Sequence, residues 1–275
     1  MKKISITGGK GGTGKSTVSV LLANKLRAAG KKVVLLDADV ECPNDYLLLG
    51  KKLTRPVAKV FAEFPKLDKK KCQKCGLCAQ NCRSNAIFQA PGKYPIFLHE
   101  LCSGCGLCWH LCPYQAIKVE KKVIGEIFKN KIDKNFWLVT GRSAGLVEET
   151  GPIVTEARKY AQKLSQKVKA DYLFIDTAVG LHCGVIRALI DVDLAYAVTE
   201  PTPLGGHDLK LILQLLKKLQ VPAKIILNQA DLGDRAPINK IAKEFGVKMA
   251  FEIPYSKKLV EAYSKGKLGE LNADL

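Results

Sequence analysis

The chain contains no run of about 18 apolar residues, the length a membrane-spanning helix needs, so no α-helical span is expected. Room for a secretory leader is also lacking, because a glycine-rich loop begins at Gly8 and leaves no space before it for the apolar core of a signal peptide. A cytoplasmic location is the expectation. Acidic residues are few beside basic ones, 26 against 44, for a formal charge of +18. The lysines are scattered, with denser zones from Lys66 to Lys74 and from Lys118 to Lys134. Such zones read either as a solvated lysine-rich surface or as a basic face for an acidic protein or nucleic acid. With 275 residues, 47% of them apolar, the chain can bury one large core plus a small satellite.

Cysteine, by contrast, is abundant. Eight of the ten cysteines crowd between Cys72 and Cys112. In a long leaderless chain that crowding indicates metal in a reducing compartment rather than disulfides.

Outside this region, short apolar runs alternate with amphipathic helical patterns. Strands are expected at Lys2–Thr7, Lys32–Asp37, Asp171–Asp176, Leu194–Thr199, Lys224–Asn228 and Met249–Ile253. Helices are expected from about Lys15 to Ala29 and across Asp208–Leu219. This alternation predicts an α/β fold, with a mostly parallel sheet covered by helices on both faces. Between about 66 and 122 the pattern breaks. CQKCGLCAQNCRSNAI (Cys72–Ile87) recurs thirty residues later as CSGCGLCWHLCPYQAI (Cys102–Ile117). Residues 66–122 therefore read as a small inserted α+β domain, and 1–65 with 123–275 as one discontinuous α/β domain.

Gly9 to Ser16 fits G-x-x-x-x-G-K-[ST] between a strand and a helix, the phosphate-binding P-loop arrangement. Its glycines let backbone N–H groups wrap the phosphates, and the helix N-terminus adds its positive end. Lys15 is expected to reach the β- and γ-phosphates of ATP, and Ser16 to bind Mg2+. A glycine turn without a ligand is the bland alternative. The loop also carries a second lysine at its start, KGGTGKST (Lys10–Thr17), and so resembles the deviant Walker A loop of the MinD/ParA/nitrogenase iron protein family. The resemblance extends over the α/β part and implies a nucleotide contact set of Gly9, Lys10, Gly11, Gly12, Thr13, Gly14, Lys15, Ser16 and Thr17. In that family the early lysine, here Lys10, crosses a nucleotide-sandwich dimer to the partner's phosphates. A homodimer, or a heterodimer with a paralogue, is therefore implied.

LLDADVECPN (Leu35–Asn44) resembles the first switch of the same family. Asp37 would lie near the Mg2+ waters, and Asp39 would orient the attacking water; helix capping or turn formation is the plainer role for both. LFIDTAVG (Leu173–Gly180) resembles Walker B and the second switch, with Asp176 on Mg2+ through water and the Gly180 amide sensing the γ-phosphate. Ala178 and Val179 stand where the family has two prolines. Asn228 and Pro254 match the positions that read and flank the adenine, although an Asn at a strand end also caps turns.

Cys72, Cys75, Cys78 and Cys82 have the two-, two- and three-residue gaps of bacterial ferredoxins, and so do Cys102, Cys105, Cys108 and Cys112, followed by Pro113. In the two-cluster arrangement the fourth cysteine of each motif serves the other cluster. One 4Fe-4S cluster would take Cys72, Cys75, Cys78 and Cys112, and the second would take Cys102, Cys105, Cys108 and Cys82. Each cube with four thiolates carries roughly −2, so two would lower the net charge to about +14. Zinc is the competing occupant, though it more often uses separated cysteine pairs. Arg83 replaces the proline expected after Cys82.

Trp109, His110 and Tyr114 would screen a cluster or simply pack a small core. His99, His182 and His207 have no partner at ligand spacing and are expected to be surface or loop residues. Cys42 and Cys183 are expected to be plain buried thiols. For Cys183 the alternative is a redox- or metal-sensitive dimer contact, because the nitrogenase iron protein bridges a cluster between subunits with a cysteine at similar spacing. The stretch that would supply that protein's second cysteine, Gly141–Gly151, has none here.

Together these features point to an ATPase that couples nucleotide state and dimerisation to electron transfer, with a redox or metallocluster protein as partner. An ATP-dependent cluster carrier or assembly scaffold and a ParA/MinD-like positioning ATPase are the alternatives. The tail Leu259–Leu275, broken by Gly266 and Gly269, makes a poor membrane anchor. Nucleic acid is the less favoured partner.

Overall fold

The computed structural model describes residues 1–145 and 149–271. Part of the Gly141–Gly151 stretch and the acidic end of the tail lie outside the described residues. In chain order the elements are β1 (Lys2–Thr7), α1 (Lys15–Ala28), β2 (Val33–Asp37), α2 (Asp45–Leu48) and β3 (Ala58–Leu67). Next come α3 (Leu77–Gln80), β4 (Ile87–Phe88), β5 (Ile96–Phe97), α4 (Leu107–His110), β6 (Ile117–Lys131) and β7 (Phe136–Ser143). The chain continues through α5 (Gly151–Val168), β8 (Tyr172–Asp176), α6 (Cys183–Leu189), β9 (Leu194–Thr199) and α7 (Pro203–Lys218). It closes with β10 (Ala223–Asn228), α8 (Ala236–Phe245), β11 (Lys248–Ile253) and α9 (Lys257–Ser264).

A nine-stranded sheet runs β11-β10-β9-β1-β8-β2-β7-β6-β3. From β11 to β7 every pairing is parallel. The central strands are continuous apolar runs because both of their faces are covered. Two buried clusters lie on opposite sides of the sheet. One gathers Val34, Leu36, Leu173 and Ile175 with Ile153, Ala157 and Leu209 from α5 and α7. The other gathers Ile4, Ile6, Leu35 and Phe174 with Leu21 and Leu22 of α1. No helix among the described residues is long and apolar enough to cross a membrane.

At the β7 edge the sheet turns antiparallel. β6 pairs with β7, and β3 pairs with β6 along its whole length from Ala58↔Ile127 to Leu67↔Ile117. This ribbon crosses the positions where the inserted segment was expected to begin and end, so residues 66 and 122 lie within continuous strands. The cysteine-rich segment sits at the far end of the ribbon. It consists of the single turns α3 and α4, packed on each other, and the two-stranded β4–β5 sheet. Cross-strand charges stitch the ribbon, with Lys66 to Glu120 at 3.0 Å, Lys118 to Asp68 at 3.4 Å and Lys121 to Glu63 at 3.9 Å, while Lys122 pairs with Glu120 along β6 at 3.7 Å. Lys66, Lys118, Lys121 and Lys122 of the two lysine zones are thus met by carboxylates.

Candidate functional site

The glycine loop joins β1 to α1, and the helix starts where Gly14 adopts a left-handed conformation (φ 89°). A side chain there would also collide with the Asn228 amide, so glycine is required twice over. No carboxylate occupies the first turn of α1, and its N-terminal residues Lys15, Ser16 and Thr17 open onto a cleft of about 290 Å³. The cleft is also lined by Gly12, Gly14, Asp39, Asn44, Thr177, Val179, Asn228 and Pro254. Lys15 is largely buried, and burial lowers its pKa against the opposing pull of Asp176 and Asp39. Its Nζ donates to the Lys10 carbonyl at 3.1 Å.

Parallel register brings the acidic residues together. Asp37 and Asp176 end the adjacent strands β2 and β8 as direct neighbours. Asp176 accepts hydrogen bonds from the Ser19 hydroxyl at 3.0 Å and from the Ser16 side chain. Burial nonetheless pushes its pKa up to about 6. Asp37 accepts from the backbone amides of Asp39 (3.2 Å), Asn44 (2.9 Å) and Asp45 (3.1 Å), so it shapes the loop after β2 and caps α2. Asp39 accepts from the Cys42 amide at 3.2 Å and still lines the cleft. Gly180 takes a left-handed φ of 87° just past β8.

Asp45 is a residue that the sequence reading missed. It is fully buried, and both of its carboxylate oxygens lack a hydrogen-bond partner. Ligand oxygens of Asp37, Asp45 and Asp176 all lie within 4.8 Å of one another. Burial, followed by the charge of Asp176, holds the pKa values of Asp37 and Asp45 well above the carboxylate range. Such an oxygen-only nest, beside a serine hydroxyl, fits a hard divalent cation such as Mg2+.

On the β10 side of the cleft, Asn228 donates to the Thr13 carbonyl at 3.0 Å, which ties β10 to the glycine loop while the residue also faces the cleft. Pro254 lines the same wall. So do Gln229, Tyr255, Leu259, Val260 and Tyr263, none of which was singled out in the sequence. For Leu259, Val260 and Tyr263 the only sequence signal is the amphipathic pattern of α9, which starts with the Ser256 side-chain cap on the Leu259 amide.

In the cysteine segment the sequence repeat is also a backbone repeat. Lys74 and Gly104, Gly76 and Gly106, and Asn85 and Gln115 all adopt positive φ at thirty-residue offsets. Left-handed Gly76 and Gly106 start α3 and α4. Amide donors reach the sulfurs in the same rhythm, with Ala86 N–H to Cys82 Sγ and Ala116 N–H to Cys112 Sγ, both at 3.3 Å, and Lys74 N–H to Cys72 Sγ at 3.4 Å. Backbone bonds also reach Cys78, Cys102 and Cys108. Two small cavities result. Cys72, Cys75, Cys78 and Cys112 line one, together with Tyr114. Cys102, Cys105, Cys108 and Cys82 line the other, together with Cys78 and Trp109. Burial raises the thiol pKa at Cys78 and Cys102 and, with repulsion from Cys102, pushes Cys108 up to about 12. A bound cation would convert such thiols to thiolates, for which the amide donors are already placed.

Two expectations need correction. Cys42 and Cys183 are exposed rather than buried, because one lies in the loop before α2 and the other begins α6 at the surface. His99 is half-buried and engaged at both ring nitrogens, by the Pro65 carbonyl at 3.2 Å and Lys122 Nζ at 2.8 Å, while its ring packs on Phe64. His110, His182 and His207 are exposed.

Residues 4–269 match the family described as the CobQ/CobB/MinD/ParA nucleotide binding domain. The chain belongs to this family. An uncharacterized protein of Methanocaldococcus jannaschii is 38% identical over 268 residues, covering 97% of this chain and 91% of that protein. An iron-sulfur cluster carrier protein of the same organism is 30% identical over 281 residues, covering 96% and 76% respectively. The septum site-determining protein MinD of Pyrococcus horikoshii, solved with Mg-ADP, shares the fold, with a TM-score of 0.57 at 21% identity, covering 96% of this chain and 86% of that one.

Within this MinD/ParA-type domain Lys10 is already engaged. Its Nζ pairs with Glu200 at 2.8 Å, and the same carboxylate oxygen accepts from the Thr202 hydroxyl at 3.1 Å. Glu200 follows β9 and carries no motif signal, so only the folded chain reveals the pair.

Proposed function

We propose that this chain is a Mg2+-dependent ATPase that dimerises around nucleotide and holds two resident 4Fe-4S clusters, coupling nucleotide state to electron delivery to a protein partner. The observation that carries this reading is the exchange of fourth cysteines: Cys112 lines the cavity of Cys72, Cys75 and Cys78, and Cys82 lines that of Cys102, Cys105 and Cys108. Three cysteines at two-residue gaps suit a cube better than zinc, which more often uses separated cysteine pairs, and a bound cube supplies one-electron chemistry. The nucleotide half rests on the open α1 N-terminus, Lys15, Ser16 and the buried carboxylates, with residues 66–122 as a cluster-bearing insertion on the ribbon.

A cluster carrier is the second reading, favoured by the name of the relative at 30% identity and by the exposed thiol of Cys183. The test is an anaerobic redox titration followed by EPR without nucleotide, with ADP and with a non-hydrolysable ATP analogue. The expected result is reduced 4Fe-4S signals whose midpoint moves by about 60 mV between nucleotide states, a tenfold coupling for a one-electron couple. Absence of such signals from anaerobically purified protein would defeat the proposal. Clusters insensitive to nucleotide, but lost to an apo-acceptor protein on ATP addition, would establish the carrier instead.

A further inference from the structure

The two cysteine motifs share one backbone but not one surface. At thirty-residue offsets, Lys69, Lys70, Lys71 and Lys74 around the first motif correspond to His99, Glu100, Leu101 and Gly104 around the second. The second motif is clamped to the ribbon. His99 bonds Pro65 and Lys122, Cys102 packs against the main core, and Gly104 lies close to the Glu63 carbonyl, 3.4 Å from where its Cβ would stand. Cys75 and its counterpart Cys105 are both exposed, but only the first motif surrounds its exposed thiol with exposed lysines.

Local contacts gather those lysines into one patch. Lys74 and Lys69 Nζ stand 4.7 and 5.7 Å from the centre of the Tyr94 ring. The Gln89 amide bonds the carbonyls of both Lys74 and Lys93, at 3.1 and 2.8 Å, and so draws Lys93 to the same place. Lys74 also donates its own amide to Cys72 Sγ, so the patch touches the thiol cage directly. Among the described residues none of Lys69, Lys70, Lys71, Lys74 and Lys93 is paired with a carboxylate, whereas the ribbon's Lys66, Lys118, Lys121 and Lys122 all are.

We infer that this lysine rim is the docking face for an acidic redox protein, one that presents carboxylates around its own centre, and that the first cysteine cage is the port for electrons. The inference rests on the two-cluster reading above and adds to it a direction: the second cage lies against the ribbon that joins it to the α/β domain, and the first faces the partner. The patch is a compact island. Duplex nucleic acid, with one charge per about 1.7 Å of axis, favours an extended positive track, and here the carboxylates on the ribbon interrupt one. A short ring of carboxylates matches the island in size and sign, and such complementarity accelerates encounter.

The test compares holoprotein with a patch variant (Lys69→Gln, Lys70→Gln, Lys71→Gln, Lys74→Gln) and a charge-matched control (Lys217→Gln, Lys218→Gln, Lys224→Gln, Lys248→Gln). Dithionite-reduced protein is mixed with an anionic or a cationic cobalt(III) complex; each reduced cluster gives up one electron, and cobalt(III) becomes cobalt(II). The expected result is a rate with the anionic complex about tenfold lower for the patch variant at low salt, no loss with the cationic complex, and no such change in the control. In parallel, a labelled polyglutamate peptide should bind the patch variant more weakly than the control. Equal effects of both variants in the two assays would overturn the docking face. A labelled DNA duplex that outcompetes polyglutamate for the patch would overturn the choice of partner. If the reduced wild type shows no EPR signal, the two-cluster reading and the port fail together, while the peptide assay still decides the docking face.

Discussion

Asp45 is the residue whose chemistry departs furthest from its surroundings. A fully buried carboxylate with neither oxygen partnered is costly when ionised, and Asp37 and Asp176 beside it add repulsion. Its folded pKa is raised, so the stability it contributes is present below the unfolded carboxylate range and lost as pH rises through the folded pKa. Asp176 behaves alike, losing its contribution between about pH 4 and its raised pKa of about 6. Asparagine at position 45 cannot ionise. In metal- and nucleotide-free protein, Asp45→Asn is therefore expected to raise the melting temperature, with a gain that grows from pH 5.5 to pH 8 and is worth about 1–3 kcal/mol at the alkaline end. The same variant should bind Mn2+, used as a paramagnetic stand-in for Mg2+, more weakly. A melting-temperature difference that is flat across pH would show that the carboxylate is not held in an unfavourable ionisation.

At the scale of elements, the ribbon decides how the cysteine segment is carried. Its root is packed tightly, since a Cβ on Gly125 of β6 would lie 2.8 Å from the fully buried Ile153 of α5. Gly125→Val should force β6 away from α5 and cost about 1–3 kcal/mol, read as a lower denaturation midpoint. The relaxed double variant Gly125→Val/Ile153→Ala should recover part of that loss. The central strands were legible in the sequence because burial on both faces turns them into apolar runs; Lys2–Thr7 and Leu194–Thr199 match their expected spans, and α1 stops at Ala28, one residue short of its expected end. The ribbon was not legible. Its strands alternate lysine and glutamate with apolar residues around the cysteines, and that pattern looks like linker until the partner strand supplies the opposite charge. The thirty-residue repeat was plain in the cysteines, and the fold adds the matching left-handed residues. Asp45 and Glu200 carried no local signal, because their partners are brought to them by strand register and loop closure.

At the scale of the whole molecule, the same lysine has two possible partners. In this chain Lys10 is paired with Glu200, whose side chain is only 14% exposed. The deviant P-loop implies instead a reach across a dimer to the other subunit's phosphates. Both contacts cannot hold at once, so dimer formation has to break the internal pair. An ion pair of this partial exposure is worth about 1 kcal/mol, between the surface and buried limits, which corresponds to about fivefold in an equilibrium. Glu200→Gln should thus strengthen ATP-dependent dimerisation a few-fold, as read by sedimentation in the presence of a non-hydrolysable analogue. Lys10→Ala should leave nucleotide binding to the monomer intact and abolish both the dimer and hydrolysis. The two substitutions act on one contact from opposite sides, so the double variant should behave as Lys10→Ala alone. Normal turnover by Lys10→Ala would show that the lysine works within its own subunit, with Glu200 as its permanent partner.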